Sequence, residues 1–269
     1  KTLVVNTISN LINTKFQRIQ FTPDMLPADL IGTLIYNQKL GKFETRKGPI
    51  FSNIILADEI NRSPAKVQSS LLESMQEKQI TIGDNTFKLK KPFLVMATQN
   101  PIEQEGTYPL PEAQVDRFMF KLVVTYPNIE SERLILRKNT NSNITSTVES
   151  IVDPNVIIDA QLISESIYVD PKIEDYVLNI IAATREPSQS GLDELENIID
   201  FGASPRATIN LIKAAKARAF TEKRGYVTPE DIRFIGKDVL RHRIILTYEA
   251  EEMSSDDVID RLFESIEVP

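Results

Sequence analysis

The sequence predicts an α/β fold, in which a doubly wound parallel sheet is followed by a small all-helical domain. Short apolar runs at Ile54–Ala57, Phe93–Ala97 and Phe118–Val124 are separated by helical patterns. Such continuous runs are typical of strands that are covered on both faces. From Asp159 onward, almost every segment repeats its apolar residues with the period of a helix, which predicts the helical domain.

The bulk composition is that of an ordinary globular protein, with 41% hydrophobic and 26% charged residues in a chain of 269. The net charge of −7 weighs against a protein whose affinity comes mainly from nucleic-acid phosphates. The chain has no cysteine, which excludes disulfides and thiolate metal sites and agrees with a cytoplasmic location. Its single histidine, His242, cannot build a histidine metal cluster, and no apolar stretch approaches the ~20 residues of a membrane span.

The first elements are a helix, a strand and a loop. The chain starts with Lys1 and Thr2, which does not resemble a signal peptide, and we expect residues upstream of Lys1 to be missing. A strand is predicted over Lys15–Phe21 and a loop over Gln20–Gly32. The helix predicted over Thr2–Ile12 places one set of apolar residues on a single face: Leu3, Val4, Ile8, Leu11 and Ile12.

Two hairpins are predicted beside the sheet. Thr33–Ile50 carries two glycines around the basic stretch Lys39–Lys47, which indicates a hairpin-like excursion with solvated charges. Ile80–Ile82 and Phe87–Leu89 flank a Gly-Asp-Asn turn, which predicts a β-hairpin.

The stretch Ile54–Asn61 is the most informative, because four apolar residues run directly into Asp58 and Glu59. Ligands of open α/β sheets bind outside the carboxyl ends of the strands, where these two carboxylates are expected. There they could hold a divalent cation and polarise a water beside it, as in phosphate-cleaving ATPases. The alternative is that Asp58 and Glu59 cap the following helix, and the motif alone does not decide between the two.

Candidates for two further parts of a phosphoryl-transfer site come from chain positions near strand and helix ends. Lys1 and Thr2 ahead of a helix fit the end of the loop Gly-x-x-x-x-Gly-Lys-[Ser/Thr], in which the lysine holds phosphates and the hydroxyl ligates magnesium. Asn100 ends the strand expected beside Ile54–Ala57, so its amide could orient an attacking water. The alternative for Asn100 is a turn-capping residue before Pro101.

Two arginines complete the candidate set. Arg117 lies between Asp116 and the third apolar run, where most arginines form surface salt bridges. Arg206 stands at a helix start and could pair with Ser204 or Asp200. Because a helix N-terminus already carries partial positive charge, an arginine there favours a bound anion such as phosphate.

Long stretches of the sequence resemble the MoxR-type AAA+ ATPases. The matching stretches are Gln20–Pro27, Asp58–Glu77, Ala97–Phe118, Gly202–Ala207, His242–Ile244 and Leu246–Ala250, and Ala97–Phe118 is highly specific to that family. The resemblance implies an AAA+ core of the P-loop NTPase type over residues 1–127, with the glycine-rich half of Walker A upstream of Lys1. Residues 128–269 would then form a linker and a helical lid.

The resemblance also implies roles for the candidate residues around ATP. Lys1 and Thr2 would close the Walker A loop, Asp58 would hold Mg²⁺ together with the hydroxyl of Thr2, and Glu59 would activate water. Each of these four residues matches its motif position in this sequence.

Three more residues would act from other strands, the lid or a neighbouring subunit. Asn100 would be sensor 1, and Arg206 would be sensor 2 on the lid. Arg117 would be the arginine finger that reaches the nucleotide of a neighbouring subunit in a homo-oligomeric ring, usually a hexamer.

Members of the family act as chaperone-like remodelling ATPases, often beside proteins with von Willebrand factor A domains. The resemblance therefore implies Mg²⁺-dependent ATP hydrolysis that remodels or activates protein partners. The alternatives are a nucleotide-sensing scaffold with little turnover and a DNA-translocating relative, and the acidic net charge disfavours the latter. His242 is expected to serve the structure or a subunit contact.

Overall fold

The computed structural model describes residues 2–99, 107–140, 148–250 and 253–269. Lys1, Asn100 and most of the polar tract that follows the helix near residue 130 lie outside these ranges. The helices are α1 (Thr2–Leu11), α2 (Pro27–Ile31), α3 (Ala65–Glu77), α4 (Glu112–Val115), α5 (Ile129–Thr140), α6 (Pro154–Glu165), α7 (Pro171–Arg185), α8 (Pro205–Thr221), α9 (Pro229–Leu240) and α10 (Ser255–Ser265). The strands are β1 (Phe16–Gln20), β2 (Gly32–Asn37), β3 (Lys42–Lys47), β4 (Ile54–Asp58), β5 (Gln79–Ile82), β6 (Asn85–Lys88), β7 (Leu94–Ala97), β8 (Ile199–Phe201) and β9 (Ile245–Leu246).

The central element of the amino-terminal half is β4, which pairs in parallel with β1 on one side and with β7 on the other. Its apolar residues alternate between two cores, as the pleat of a strand requires. Ile54 and Leu56 pack with Val5 of α1, whereas Ile55 and Ala57 belong to the core that includes α3. The prediction of a strand covered on both faces is therefore confirmed for Ile54–Ala57.

The predicted buried face of α1 is wrong. The structure buries Val5 and Ser9, while Leu3 is 77% and Val4 58% exposed. Ser9 lies on the buried face because it closes the turn after the helix, where its hydroxyl donates to the carbonyl of Thr14 over 2.9 Å. A polar residue with such a local partner is invisible to a search for apolar periodicity.

Part of the predicted loop over Gln20–Gly32 is helical, which corrects that prediction. Pro27 occupies the first turn of α2, and the Asp29 side chain accepts the backbone N–H of Leu26 over 2.8 Å. The helix buries Leu30 completely. The helix can begin at Pro27 because proline is tolerated at a helix start.

Both predicted hairpins are confirmed. β2 pairs with β3 from Gly32 opposite Lys47 to Asn37 opposite Lys42, and β5 pairs with β6 around the turn at Gly83 and Asp84. The Nζ of Lys47 lies 4.5 Å from the ring centroid of Phe87, so a cation–π contact joins the two hairpins.

The predicted third strand, Phe118–Val124, is wrong: this segment forms no strand, and Leu122 and Val124 are 59% and 66% exposed. Its backbone groups bind the carboxyl-terminal half of the chain instead of the sheet. The N–H of Lys121 donates to the Asp238 carbonyl over 2.8 Å, and the Phe118 carbonyl accepts from Arg243. These remote partners satisfy the backbone that the apolar pattern assigned to a sheet.

The carboxyl-terminal half is a mainly helical domain around its own apolar core, as predicted. It is not all-helical, because β8 pairs antiparallel with β9. One stripe of α7 is buried throughout: Ile173, Val177, Ile180 and Ile181. α9 begins with a capping box in which Thr228 and Asp231 exchange hydrogen bonds, and α10 begins with another at Ser254 and Asp257. In the part of the chain that the structure describes, no helix is long and apolar enough to cross a membrane.

Candidate active site at the sheet edge and the lid

Asp58 is the last residue of β4, and the two neighbouring strands, β1 and β7, bring polar groups to its carboxylate. Arg18 of β1 donates to Oδ2 from Nε over 3.0 Å and from Nη2 over 2.5 Å. Thr98, which follows β7, donates its hydroxyl to Oδ1 over 2.5 Å. The parallel register explains this meeting, because Ala57 lies opposite Ala97 and the next residue of each strand is therefore adjacent.

Glu59 has a left-handed backbone conformation, with φ 56° and ψ 51°. A residue with a Cβ adopts this conformation at a cost of about 1 kcal/mol or more, and such strain is concentrated at functional sites. Thr98 holds the turn in place, since its hydroxyl accepts the Glu59 N–H over 3.0 Å and its carbonyl accepts the Ile60 N–H over 3.0 Å. Gln20 donates to Glu59 Oε2 over 2.9 Å, and Arg62 lies 3.1 Å from the same oxygen.

The helix-capping alternative for these carboxylates is wrong. Glu59 precedes a single 3-10 turn over Ile60–Arg62 and makes no side-chain cap hydrogen bond there. The residue that precedes α3 is Pro64, and Asp58 is paired within the sheet. The two acids therefore sit at the carboxyl edge of the sheet without serving a helix start.

Thr2 is the first residue of α1, and α1 leads into β1 through a turn at Ile12–Lys15. Helix and strand have similar lengths, about 15 Å and 17 Å. α1 packs along β4 through Val5, which clusters with Ile54 and Leu56. Lys1, which would accompany Thr2, lies outside the described residues.

A second polar cluster surrounds Asp116, which follows α4. Its carboxylate accepts from the hydroxyl of Ser204 over 3.1 and 3.0 Å, from Arg206 Nη1 over 3.2 Å and from Arg243 Nε over 2.8 Å. Burial acts to raise the pKa of Asp116, but hydrogen bonds from Ser204 and Arg243 outweigh it, so the pKa is lowered and the carboxylate is charged at neutral pH. Ser204 also caps α8 by accepting the Arg206 N–H over 3.2 Å.

A carboxylate of the chain itself, that of Asp116, lies beside Arg206, and the phosphate that the sequence favours there stays a prediction. Ser204 contacts Arg206 as predicted, but it accepts the backbone N–H of Arg206 and does not bind the guanidinium. The ion-pair partner of Arg206 is Asp116 instead of Asp200. The Arg206 side chain remains 45% exposed, which leaves part of its guanidinium accessible.

Of the candidates Arg117 and Asn100, the structure describes only Arg117. Arg117 is half-buried, and its Nε has no hydrogen-bond partner among the described residues. An arginine nitrogen without a partner is uncommon in a folded protein, because desolvation of a donor is costly. Asn100 lies outside the described residues, two positions after Thr98.

The donor set at Asp58 fits a magnesium ion that is shared with a nucleotide. Within the described ranges, no group of three or more His, Cys, Asp or Glu side chains is placed to hold a metal. Mg²⁺ does not need such a group, since it is bound by one or two carboxylates together with substrate phosphates and water. The carboxylate of Asp58 is an oxygen ligand of this kind, and it lies at the carboxyl end of β4.

Sequence reasoning did not single out four residues of the two clusters: Arg18, Thr98, Asp116 and Arg243. A parallel register between β4 and β7 would have identified Thr98, since it extends the pairing by one residue beyond Ala97. No sequence signal pairs Arg243 with Asp116, because 127 positions separate them.

A parallel sheet with an acid pair at its carboxyl edge and a helical lid defines a nucleotide-hydrolysing α/β protein of the AAA+ type. The model of the family described as "ATPase family associated with various cellular activities (AAA)" matches residues 1–120, and the AAA lid domain matches residues 195–262. The chain is 47% identical to Chaperone MoxR1 of Mycobacterium tuberculosis, over the whole of this chain and 71% of that protein. It is 42% identical to the uncharacterized protein YeaC of Bacillus subtilis, over the whole chain and 82% of that protein.

A solved structure supports the same assignment. The crystal structure of a candidate ATPase from Cytophaga hutchinsonii, at 2.00 Å resolution, superposes with a TM-score of 0.94 at 53% identity, over the whole of this chain and 82% of that one. The chain belongs to the MoxR family of AAA+ ATPases. It is a nucleotide-binding ATPase of a chaperone-like family.

Proposed function

We propose that this ATPase hydrolyses ATP with Mg²⁺ in a cytoplasmic homo-oligomeric ring, in the form of a hexamer, and uses the hydrolysis to remodel or activate protein partners. The chain would divide into an ATPase core over residues 1–127 and a linker with a helical lid over residues 128–269. Two separate apolar cores, one around β4 and one around α7 to α10, support this division.

We assign the nucleotide-facing roles to residues of the sheet edge and its flanks. Thr2 and Asp58 would hold Mg²⁺, which when bound stabilises the negative charge that develops on the phosphates. Lys1 would hold the phosphates beside them, and Asn100 would orient the attacking water. Glu59 would accept the proton of that water. The separate roles of the two acids are supported by their contacts, because Arg18 and Thr98 bind the carboxylate of Asp58, whereas Thr98 binds only the backbone of Glu59.

The two arginines would add positive charge from outside the sheet. Arg206 would contact the nucleotide from the lid as sensor 2, and Arg117 would reach the nucleotide of a neighbouring subunit. The 45% exposed side chain of Arg206 supports its role.

The observation that carries the proposal is the strained backbone of Glu59. Its left-handed conformation is held by Thr98 from the neighbouring strand. Strain that the surrounding structure enforces at a carboxylate is a feature of sites where a side chain must be aimed.

The proposal that this ATPase binds protein partners is supported by the hairpin β2–β3. Tyr36 and Phe43 at its surface are 53% and 66% exposed, and their rings contact each other at an interplanar angle of 60° with centroids 5.2 Å apart. Exposed aromatic residues beside Lys39 and Lys42 suit a protein partner that offers apolar and acidic groups, and we propose a von Willebrand factor A domain protein as that partner.

Replacement of Glu59 by glutamine tests the assignment, because it keeps the size of the side chain and removes the base. We expect Glu59→Gln to bind a fluorescent ATP analogue normally and to lower kcat by about 10²- to 10⁴-fold, the contribution of a general base. Glu73→Gln, the same change on the exposed face of α3, is the matched control and should leave both quantities unchanged. Turnover by Glu59→Gln within twofold of the parent protein would show that Glu59 is not the base.

A further inference from the structure

Arg243 follows α9 and is buried almost completely, with a side chain that is 1% exposed. Each of its side-chain nitrogens donates to a protein oxygen. Nε binds Asp116 Oδ1 over 2.8 Å, Nη1 binds the carbonyls of Val239 and Met119, and Nη2 binds the carbonyls of Asp116 and Phe118 over 2.9 and 2.5 Å. A guanidinium that is removed from water needs this complete set of acceptors, because a buried unpaired donor is costly.

The acceptors of Arg243 lie on both sides of Arg117. The carbonyls of Asp116 and Phe118 belong to the residues immediately before and after Arg117, and the Met119 carbonyl follows. The N–H of Arg117 is bound in addition, by the Gln114 carbonyl over 3.2 Å. The backbone of Arg117 is thus fixed by hydrogen bonds at its own N–H and at both neighbouring carbonyls.

The same contact fastens the lid to this segment. The carboxylate of Asp116 accepts from Arg243 at one oxygen and from Arg206 at the other, while Ser204 donates to both. α8 and the end of α9, both elements of the helical domain, therefore meet at a single residue that precedes Arg117. A movement of the helical domain would move the backbone of Arg117 with it.

We propose that Arg243 is a positioning residue for Arg117. It holds the backbone on both sides of Arg117, so that the Arg117 side chain keeps one direction and follows the helical domain. This inference rests on the proposed role of Arg117 at the nucleotide, and it adds the residue that aims it. Stability alone does not account for Arg243, because a buried ion pair contributes little net stability compared with apolar residues of similar size.

The test is a double-mutant cycle between residues 243 and 117, which isolates their coupling from additive losses. Arg243→Lys keeps the charge, but one ammonium group cannot reach the Asp116 carboxylate and the flanking carbonyls together. We expect kcat to fall by on the order of 10- to 100-fold, the cost of a small misplacement of a catalytic group, while the Kd of a fluorescent ATP analogue changes less than about threefold. In an Arg117→Ala background, Arg243→Lys should lower kcat by less than about twofold.

Arg241→Lys is the matched control, because Arg241 also joins the end of α9 to this segment. It is 11% exposed, donates to the Lys121 carbonyl over 2.6 Å, and pairs with Asp238 and Asp256. It makes no contact with residues 116–119 among the described hydrogen bonds, so Arg241→Lys should destabilise the lid without a loss of kcat beyond about twofold. Thermal unfolding of every variant shows whether it is folded at the assay temperature.

The possible results are distinguishable. If Arg117→Ala turns over normally, the proposed role of Arg117 fails, and the inference fails with it. If Arg117→Ala is slow but the losses of the two variants multiply, or if Arg241→Lys lowers kcat as much as Arg243→Lys, only the positioning role is overturned. If Arg243→Lys does not fold, Arg243→Gln replaces it in the cycle, with the same expectation and the same contradicting result.

Discussion

At the scale of single residues, the polar side chains of this ATPase are defined by partners far along the chain. Arg206 and Asp116 are 90 positions apart, and their contact explains an arginine at a helix start without a bound ligand. His242 is another case. Its Nε2 lies 3.1 Å from the Phe118 carbonyl, and its Nδ1 is buried without a hydrogen-bond partner among the described residues.

The chemical state of His242 follows from these contacts. A carbonyl only accepts, so Nε2 carries the proton and Nδ1 is left bare in the neutral ring. Burial, together with the adjacent charge of Arg243, lowers the pKa of His242 to about 4, against the opposing effect of the hydrogen bond to the Phe118 carbonyl. The folded protein therefore excludes the charged ring over a pH range in which the unfolded chain accepts the proton.

This difference predicts a pH-dependent stability. The pKa of His242 is lower in the folded protein than in the unfolded chain. The neutral ring therefore makes its full contribution to the free energy of unfolding above the unfolded pKa of about 6.5, and this contribution is lost as the pH falls toward 4. We expect the free energy of unfolding to fall by about 2 kcal/mol more in the parent protein than in His242→Gln between pH 7.5 and pH 5. Glutamine can still donate to the Phe118 carbonyl.

Urea unfolding at both pH values measures the difference. The lowered pKa values of Asp116 and Asp231 do not interfere, because their contribution is lost only below about pH 4. An equal pH dependence in the parent protein and in His242→Gln would show that the ring is not buried in its neutral form.

At the scale of elements, α9 and α10 approach each other closely at Gly236, where α9 has no side chain. A Cβ added at Gly236 of α9 would lie 2.2 Å from the ring of Phe263 on α10, which itself is 7% exposed. Glycine within a helix costs about 1 kcal/mol relative to alanine. The helix tolerates this cost because the Phe263 ring fills the space above Gly236.

Gly236→Ala should therefore destabilise the lid, although alanine favours the helix. We expect a net loss of about 1–2 kcal/mol, since displacement of a packed ring costs more than the helix propensity returns. Phe263→Leu in the same chain should recover part of the loss. Gly225→Ala, where nothing lies within 4 Å of an added Cβ, is the control and should stay within about 0.5 kcal/mol. Thermal unfolding gives the comparison, and a Gly236→Ala variant as stable as the control would refute the packing account.

At the scale of the whole molecule, one short segment of the amino-terminal half is bound closely to the helical domain. Residues 116–121 carry hydrogen bonds to Arg241, His242 and Arg243, and the same segment contains Arg117. A residue in this position can report the state of the lid to another subunit, which is the assembly that we propose for this ATPase.

The ring predicts complementation between two inactive subunits. Arg117→Ala should lose about 10³-fold or more in turnover, the effect of an arginine finger. Glu59→Gln subunits should also be slow, but they carry Arg117. We therefore expect a mixture to hydrolyse ATP far faster than either protein alone, because a Glu59→Gln subunit supplies Arg117 to an intact site.

The control mixture contains Arg117→Ala subunits and subunits with both substitutions, which can supply no arginine. Steady-state turnover at increasing protein concentration measures the effect. Activity per chain that does not change on dilution to monomers, or a mixture no faster than the sum of its parts, would contradict the role in trans.

The sequence by itself determined the local chemistry of this protein. The apolar run that ends in Asp58 and Glu59 predicted the central strand and the acid pair, and the turn residues around Gly83 predicted a hairpin, because both signals lie within a few residues of the structure that they specify. The family resemblance was likewise carried by contiguous motifs, and the comparisons confirm it.

The tertiary structure alone decided which distant groups meet. The apolar run Phe118–Val124 looked like a strand, yet its backbone binds Asp238 and Arg243, and the anion beside Arg206 is Asp116. Hydrogen bonds and ion pairs require partners about 3 Å apart in space, but those partners can be any distance apart in the sequence. A pattern in the sequence can therefore specify a strand or a turn, whereas the fold selects the partner of each buried charge.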